Sequence, residues 1–221
     1  DYVQGDPFAS PSKVRVVMGQ ERAGFLDHTH QSKSREVAAR DFITRRFAEA
    51  IGRHSKGSRG SGKSGRVGID APRQEILERT AAFIDDRQVE VRFTVGLPAF
   101  GRKIAGRQAQ SLFFEEIPRL VEEAMIFDNL DAEALQEHIE THEDADAARS
   151  ILRENELVAF VADRSILPRK SGIDPRPMPG DQVIPFESPE SMRWELELPN
   201  RGKITGMGIP TGITLIVGGG F

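Results

Sequence analysis

The sequence of 221 residues contains no cysteine. This absence excludes disulfide bonds and thiolate metal sites, and it fits the reducing conditions of the cytoplasm, where we expect the protein to be located. No hydrophobic run approaches the roughly 20 residues that a membrane-spanning helix requires, and no signal peptide opens the chain. We therefore expect a soluble protein with no membrane partner. The first residue is Asp1 and not methionine, which indicates that the amino end is cut.

The net charge of −4 conceals two regions of opposite charge. Residues 31–66 are rich in lysine and arginine, whereas residues 115–156 are rich in carboxylates. A cationic segment favours an anionic partner such as RNA or DNA, and the alternative is an ordinary solvated helix face. The net charge alone therefore says little about partners.

The hydrophobic periodicity predicts an α+β fold, with strands and helices mixed along the chain. Apolar patterns indicate strands at residues 13–18, 66–70, 89–95, 157–162, 192–198, 203–205 and 213–217. Helical spacing indicates helices over residues 34–54, from about 106 to 125 with a break at Pro118, and over 131–155. A further helix is expected to start near Pro72, with Asp70 as its N-cap and Ile76, Leu77, Phe83 and Ile84 facing the core.

The distribution of prolines predicts how the chain is divided. Residues 163–189 contain repeated prolines, which exclude regular helix and indicate an extended connection. We expect an amino-terminal α/β domain over residues 1–165, a Pro-rich connection over 166–190, and the start of a nucleotide-binding domain over 191–221. No internal repeat is found.

Residues 57–64 (GSRGSGKS) match the P-loop pattern G-x-x-x-x-G-K-[ST] at every specified position. In a P-loop the backbone amides surround the phosphates, the lysine reaches the β and γ phosphates, and the hydroxyl holds Mg²⁺. A strand normally precedes such a loop and a helix follows it, whereas here the predicted order is reversed. Three interpretations are open: an ATP site, a flexible glycine-serine connector, and a basic loop that contacts phosphates. The residues concerned are Arg59, Gly60, Ser61, Gly62, Lys63, Ser64 and Arg66.

A second glycine-rich segment closes the chain. Residues 212–221 (GITLIVGGGF) are typical of a buried strand that leads into a P-loop. The motif would begin at Gly218, and its lysine and hydroxyl residue would follow Phe221. The predicted nucleotide-binding residues are Gly218, Gly219, Gly220 and Phe221. A hairpin or a tag junction is the alternative interpretation.

Three other groups of residues are candidate binding sites. Gly96, Gly101 and Gly106 frame Arg102, Lys103 and Arg107, which indicates either a phosphate contact or a tight turn with solvated bases. His138 and His142 lie one helical turn apart but lack the pattern of a zinc site, so no metal site is expected. Trp194 could stack on adenine or pack in the core. No Ser-His-Asp set is discernible.

Several segments together resemble the predicted ATPases of the ABC class, a poorly characterised family. They include VQGDPFASPSKVRV, GSGKSGRVGID, VEVRFTVGLPAFGRKIAGRQA, ELVAFVADRSILPR, IPFESPESMRWELELP and GKITGMGIPTGITLIVGGGF. In this family the last block continues into a histidine and GKST, which implies that the Walker A loop begins at Gly218. The resemblance thus implies an amino-terminal fragment whose chain ends within Walker A.

The resemblance also implies an activity. The intact protein is expected to bind and hydrolyse ATP with Mg²⁺, as a homodimer, and to change the arrangement of its domains. The 221-residue chain is expected to hold no catalytic residue, no bound cofactor and no complete ATP site. The amino-terminal domain is expected to contact RNA or DNA through its basic residues. The alternative is a stand-alone module for nucleic-acid binding or dimerisation, without ATPase activity.

Overall fold

The computed structural model describes residues 2–217, except for the side chain of Gln182. The chain forms two compact units, which divide between Ile139 and Glu140. Helices and antiparallel sheets occur together, so the predicted α+β class is confirmed.

The first unit is built on a small antiparallel sheet. Strand β1 (Ser12–Gly19) pairs along its whole length with β4 (Gln88–Val95). The opposite edge of β4 pairs with β2 (Val67–Gly68) and β3 (Ala82–Ile84). The alternation of polar and apolar residues in β1 and β4 reflects one sheet face turned to the core, because successive side chains point to opposite faces. The predicted strands 13–18 and 89–95 are confirmed.

One long helix supplies much of the core of this unit. After the short α1 (Gln20–Ala23), helix α2 (Lys33–His54) begins at Ser32, whose side chain accepts a hydrogen bond from the Arg35 amide at 3.3 Å. Such an N-cap satisfies an amide that has no partner within the helix. Phe47 is fully buried, and its ring centroid lies 4.9 Å from that of Phe93 on the sheet. The predicted helix over residues 34–54 is confirmed.

A second helical region follows the sheet. It consists of α3 (Gly106–Ser111), a π-helical turn (Leu112–Glu116) and α4 (Ile117–Met125), without a gap between them. The predicted break is a change of helical type just before Pro118, which lies in the first turn of α4. Proline is tolerated there because the missing amide would have no helical partner.

The helix predicted near Pro72 is wrong. Residues 71–81 form no helix, and Phe83 and Ile84 belong to strand β3. Leu77, expected in the core, is 50% exposed. Asp70 does not act as an N-cap either, since its carboxylate accepts a hydrogen bond from Arg79 at 3.1 Å.

Two arginines of α2 explain why this segment is extended. Arg40 is buried and donates to the carbonyls of Ala82, at 2.8 Å, and of Arg79. Arg45 donates to the carbonyl of Glu75 at 3.2 Å. A helix needs its carbonyls for its own hydrogen bonds, so these arginines stabilise the extended form instead.

The second unit contains a three-stranded antiparallel sheet. After α5 (Ala132–Glu154), strand β7 (Leu157–Ala162) forms one edge, β9 (Gly202–Pro210) the centre and β8 (Arg193–Leu198) the other edge. The buried carboxylate of Asp144 accepts hydrogen bonds from the amides of Asn200 and Arg201, at 2.9 and 3.0 Å, and so holds the turn between β8 and β9.

Residues 163–189 form the extended connection that the prolines predict. Apart from a 3₁₀ turn at Gly180–Gln182 and a bridge between Arg169 and Pro177, this stretch has no regular structure. Asp163 ties its two ends, accepting from the Ser188 amide at 2.6 Å and from the Thr205 hydroxyl at 2.7 Å. The three-stranded sheet joins β7, which precedes the connection, to β8 and β9, which follow it. The domain division at residues 1–165, 166–190 and 191–221 stays a prediction.

The buried strand predicted at residues 213–217 is wrong for these residues. They form no strand, and Ile213 and Leu215 are fully or largely exposed. Among the described residues, no strand pairs with this run, so its apolar side chains are not covered by a sheet. Gly218, Gly219, Gly220 and Phe221 lie outside the described residues.

Candidate functional site

The complete P-loop motif at residues 57–64 follows helix α2 and precedes strand β2. This is the reverse of the order strand, loop, helix that delivers a loop to a phosphate. The order predicted from the sequence is therefore confirmed.

Several backbone amides of the loop already have partners within the protein. Ser61 donates to the carbonyl of Ala99 at 2.8 Å, and Lys63 donates to that of Pro7 at 2.9 Å. Further amide donors are Arg59 to Ser64, Ser64 to Ser61, and Gly65 to Gly96, at 2.9, 3.1 and 2.7 Å. Amides that surround a phosphate must be free to donate to it, and in this arrangement these amides are not free.

The hydroxyl of Ser64 also forms hydrogen bonds within the protein. It donates to the carbonyl oxygen of Ala99 at 3.1 Å and accepts from the Ala99 amide at 3.1 Å, and Ser64 is fully buried. A Mg²⁺ ligand must be accessible to the ion and offer it an oxygen lone pair. The residue that the motif assigns to Mg²⁺ therefore connects two loops.

The glycines allow backbone segments to approach closely. Gly60 and Gly62 have φ angles of 137° and 59°. A Cβ atom on Gly60 would lie 2.3 Å from the Ala99 carbonyl oxygen, and one on Gly62 would lie 2.5 Å from that of Pro7. Both distances are too short for a side chain. The loop is thus a packed turn and not a flexible connector.

A buried ion pair anchors the start of the loop. The Arg59 guanidinium donates to both carboxylate oxygens of Glu116, at 2.7 and 2.5 Å, and the Lys56 amide donates to the same group at 3.2 Å. Burial alone would raise the pKa of Glu116, but these hydrogen bonds and the positive charge of Arg59 outweigh it and lower the pKa. The Arg59 guanidinium is therefore engaged by Glu116, and its predicted phosphate contact stays a prediction.

Most other bases of residues 31–66 are also paired with carboxylates. The paired side chains are Lys33, Arg40, Arg45, Arg46, Arg53 and Lys56. In the part of the chain that the structure describes, no ion pair is formed by the predicted site residues Lys63, Arg66, Arg102, Lys103 and Arg107. We call these residues the basic surface. The basic surface contains fewer cations from residues 31–66 than the charge of that segment predicts.

A short hairpin carries part of the basic surface. Strands β5 (Ala99–Phe100) and β6 (Lys103–Ile104) are joined by Gly101, with φ +55°, and Arg102. The Gly101 amide donates to the Ser61 hydroxyl at 2.9 Å, which ties the hairpin to the loop. The turn is tight and its bases are exposed, while the predicted phosphate contact stays a prediction. A Cβ atom on Gly96 would lie 1.8 Å from the Lys63 carbonyl oxygen, so this glycine too serves close packing.

A cavity of about 460 Å³ lies between the amino-terminal loop and this hairpin. Its lining includes Gln4, Pro7 and Leu97, and its only charged lining residues are Asp6 and Arg102. The Gln4 side-chain oxygen accepts from the Leu97 amide at 2.8 Å, which fixes the cavity wall. Since one carboxylate accompanies the single cation, the cavity has no excess of positive charge.

The other candidate residues, His138 and Trp194, pack against neighbouring parts of the protein. His138 contacts the buried carboxylate of Asp41 at 2.9 Å, which also binds Arg45 at 2.6 Å. No group of three potential metal ligands occurs among residues 2–217. Trp194 is 38% exposed, and a Cβ atom on Gly208 would lie 2.6 Å from its ring, so the indole lies against the sheet surface and not in the core.

Sequence reasoning missed Glu116, Ala99 and Pro7 as partners of the loop. Glu116 lies 57 positions from Arg59. A glutamate within the apolar run LFFEEI is the one local signal, since a buried charge requires a partner. No local pattern marks the carbonyls of Ala99 and Pro7.

Two models of known families match the chain. Residues 131–221 match a family model described as a P-loop domain, which places the second region among the P-loop nucleotide-binding proteins. Residues 1–128 match the model described as the amino-terminal part of ATPases of the ABC class. The chain belongs to this family of ABC-class ATPases, as its sequence blocks predict. No curated protein matches the chain. Within the described residues, no helix has the length and apolar character to cross a membrane.

Proposed function

We propose that the intact protein binds ATP with Mg²⁺ at the loop that begins at Gly218, hydrolyses it, and uses the cycle to rearrange its domains. The match of residues 131–221 to a P-loop domain carries the proposal. The residues concerned are Gly218, Gly219, Gly220 and Phe221. ABC-type sites form between two ATPase units, so the proposal includes a homodimer, and the location is the cytoplasm.

The packing of the other glycine loop supports this assignment. The amides of Ser61 and Lys63 and the hydroxyl of Ser64 already bond within the protein. Converting residues 57–64 into a phosphate cradle would break several hydrogen bonds and expose the buried Ser64. The loop with the complete motif is therefore the poorer ATP site.

The ATPase activity of the intact protein tests the assignment. Lys63→Ala removes the lysine of the complete motif, and we expect turnover of Mg-ATP to stay within about twofold of the unaltered protein, because this half-buried side chain lies outside the proposed ATP loop. The matched control is Lys13→Ala, which removes an exposed lysine from strand β1. If turnover is abolished by Lys63→Ala and not by the control, residues 57–64 are the ATP site and the proposal fails.

The fluorescence of the single tryptophan, Trp194, can report nucleotide binding. Trp194 lies on β8, ahead of the proposed ATP loop, and its indole is exposed enough to stack on adenine. We expect ATP to change the fluorescence of the intact protein, and Trp194→Phe to remove this signal with a modest loss of affinity. A fluorescence unchanged at saturating ATP excludes adenine from this position.

We also propose that the amino-terminal domain contacts RNA or DNA through the basic surface. Lys63, Arg66, Arg102, Lys103 and Arg107 form no ion pair in the described part of the chain, and all but Lys63 are exposed. Unpaired cations release counterions from a nucleic acid on binding, which makes the affinity fall steeply with salt.

Salt titration with labelled RNA and DNA tests this contact. The double substitution Lys103→Gln and Arg107→Gln should weaken binding and reduce the slope of log affinity against log salt by about 1.4 to 1.8, since each phosphate contact contributes about 0.7 to 0.9. Arg149→Gln is a matched control, because Arg149 is exposed and pairs with Asp146. Absence of binding at low salt, or an affinity that is independent of salt, overturns the contact.

A further inference from the structure

The hairpin of strands β5 and β6 presents an exposed aromatic ring among cations. Phe100 is 55% exposed and pairs directly across the hairpin with Lys103. Side chains in such cross-strand positions are neighbours on one face of the sheet. Arg107 follows in the first turn of α3. The three residues form what we call the hairpin face.

A shallow groove of about 440 Å³ runs along this face. It is lined by Phe100, Lys103, Ile104, Ala105, Gly106, Arg107 and Gln108. None of these lining residues is acidic. The groove therefore combines an apolar ring with two cations and no carboxylate, which complements a ligand that has flat bases and a phosphate backbone.

The neighbouring loop carries a second pair of an aromatic ring and a cation. Phe8 is 68% exposed, and a Cβ atom on Gly62 would lie 3.0 Å from its ring. Lys63 is the next residue, and its amide is bonded to the carbonyl of Pro7 at 2.9 Å. Ser61 joins the two sites, since it binds the backbone of Ala99 and of Gly101 on the hairpin.

Two pairs of an exposed phenylalanine and a cation, on connected loops, favour the binding of single-stranded nucleic acid over that of a duplex. In a duplex the bases are stacked on one another and cannot reach a protein ring, whereas the bases of a single strand are free to do so. An exposed phenylalanine adds nothing to the recognition of a duplex backbone, for which the cations alone suffice.

We propose that the hairpin face binds single-stranded nucleic acid, with a base stacked on Phe100 and the adjoining phosphates at Lys103 and Arg107, and that Phe8 with Lys63 receives a nearby nucleotide. This inference rests on the proposed nucleic-acid contact and specifies its ligand. Stacking on any base is possible, so no sequence preference is expected.

The test compares a labelled single-stranded oligonucleotide of mixed sequence with its duplex, using anisotropy on the intact protein. The single strand should bind at least tenfold more tightly. Phe100→Leu should weaken single-strand binding by about tenfold, within the range for the loss of one stacked base, and leave duplex binding and the salt slope unchanged. Phe100→Tyr keeps an aromatic face and should retain the affinity. Circular dichroism of both variants checks that the fold is intact.

The outcomes separate the two proposals. If Phe100→Leu binds the single strand as tightly as the unaltered protein while Lys103→Gln with Arg107→Gln binds weakly, stacking is refuted and the electrostatic contact stands. Equal affinity for single strand and duplex likewise overturns the inference. If the unaltered protein binds neither form at low salt, the proposed nucleic-acid contact itself fails. Should Phe100→Leu not fold, Phe8→Leu provides the same comparison at the second pair.

Discussion

The Ser64 hydroxyl and the Ala99 backbone form a reciprocal pair of hydrogen bonds, each 3.1 Å long. The hydroxyl donates to the carbonyl and accepts from the amide of the same residue. Ser64 is fully buried, and the Ala99 carbonyl also accepts from the Ser61 amide at 2.8 Å. The serine that completes a P-loop motif thus serves to join the loop to the hairpin.

The first prediction concerns this pair. Ser64→Ala should lower the free energy of unfolding by about 1 to 3 kcal/mol, because the Ala99 amide loses its partner and the Ala99 carbonyl keeps only the Ser61 amide. Urea unfolding of the two proteins measures the difference. Ser61→Ala is the control, since its hydroxyl accepts one exposed hydrogen bond, from the Gly101 amide, and should cost no more than about 1 kcal/mol. Equal stability of Ser64→Ala and the unaltered protein contradicts the structural role.

The second prediction concerns the loop glycines. Gly60→Ala and Gly62→Ala should each lower the free energy of unfolding by about 1 to 3 kcal/mol, because both φ angles are positive and a Cβ atom would meet a backbone oxygen. Gly172→Ala is the matched control, since no atom lies within 4 Å of the position of its Cβ atom. Thermal unfolding compares the three. A flexible loop would tolerate all of them alike.

The third prediction concerns the buried ion pair of Arg59 and Glu116. Glu116→Gln should lower the free energy of unfolding at neutral pH by about 3 kcal/mol, because the guanidinium, whose side chain is 12% exposed, loses its counter-charge. The neighbouring Glu115 is 62% exposed and lies 3.9 Å from Lys56, so Glu115→Gln should change the stability by about 0.5 kcal/mol or less. Comparable losses in the two variants contradict the anchoring role of Glu116.

The Glu116 carboxylate should also make the free energy of unfolding depend on pH in the acid range. The pKa of Glu116 is lower in the folded protein than in the unfolded chain, so the folded state favours the ionised form. Its stabilising contribution is complete above the unfolded pKa of about 4.3 and is lost as the pH falls through the lower folded pKa. Urea unfolding between about pH 5 and pH 3 should therefore show a shallower decline for Glu116→Gln. Parallel declines would show that Glu116 does not contribute to this dependence.

The fourth prediction concerns Arg40, which is buried and holds the carbonyls of Ala82 and Arg79. Arg40→Lys should lower the free energy of unfolding by about 2 kcal/mol, because one ammonium cannot replace the planar fork. Hydrogen exchange should increase in residues 71–84. Arg46→Lys is the control, because Arg46 forms a surface ion pair with Glu49. Unchanged exchange in that segment contradicts the role given to Arg40.

Local patterns predicted the long elements well. Strands β1 and β4, helix α2 and helix α5 have apolar residues at regular spacing over several turns or several pleats, and such patterns allow little choice. The segment after Pro72 has a helical pattern that is shorter and weaker. There the arginines of α2 decide the outcome, since Arg40 and Arg45 bind carbonyls that a helix would need.

The candidate site was predictable only in part. The sequence shows that residues 57–64 match a P-loop motif and that their flanking elements stand in reverse order. It does not show that Glu116 holds Arg59, or that Glu123 pairs with Arg53. Such pairs join residues far apart in the chain, and no local spacing specifies them.

By itself the sequence determined the α+β class, the family and the presence of two glycine-rich loops. The motif and the colinear blocks are local features that persist in any conformation of the chain. Only the tertiary structure decided how residues 57–64 are bonded, because the availability of an amide or hydroxyl depends on the segments packed against it. Ser64 illustrates this difference: its place in the motif is a property of the sequence, and its bonds to Ala99 are a property of the fold.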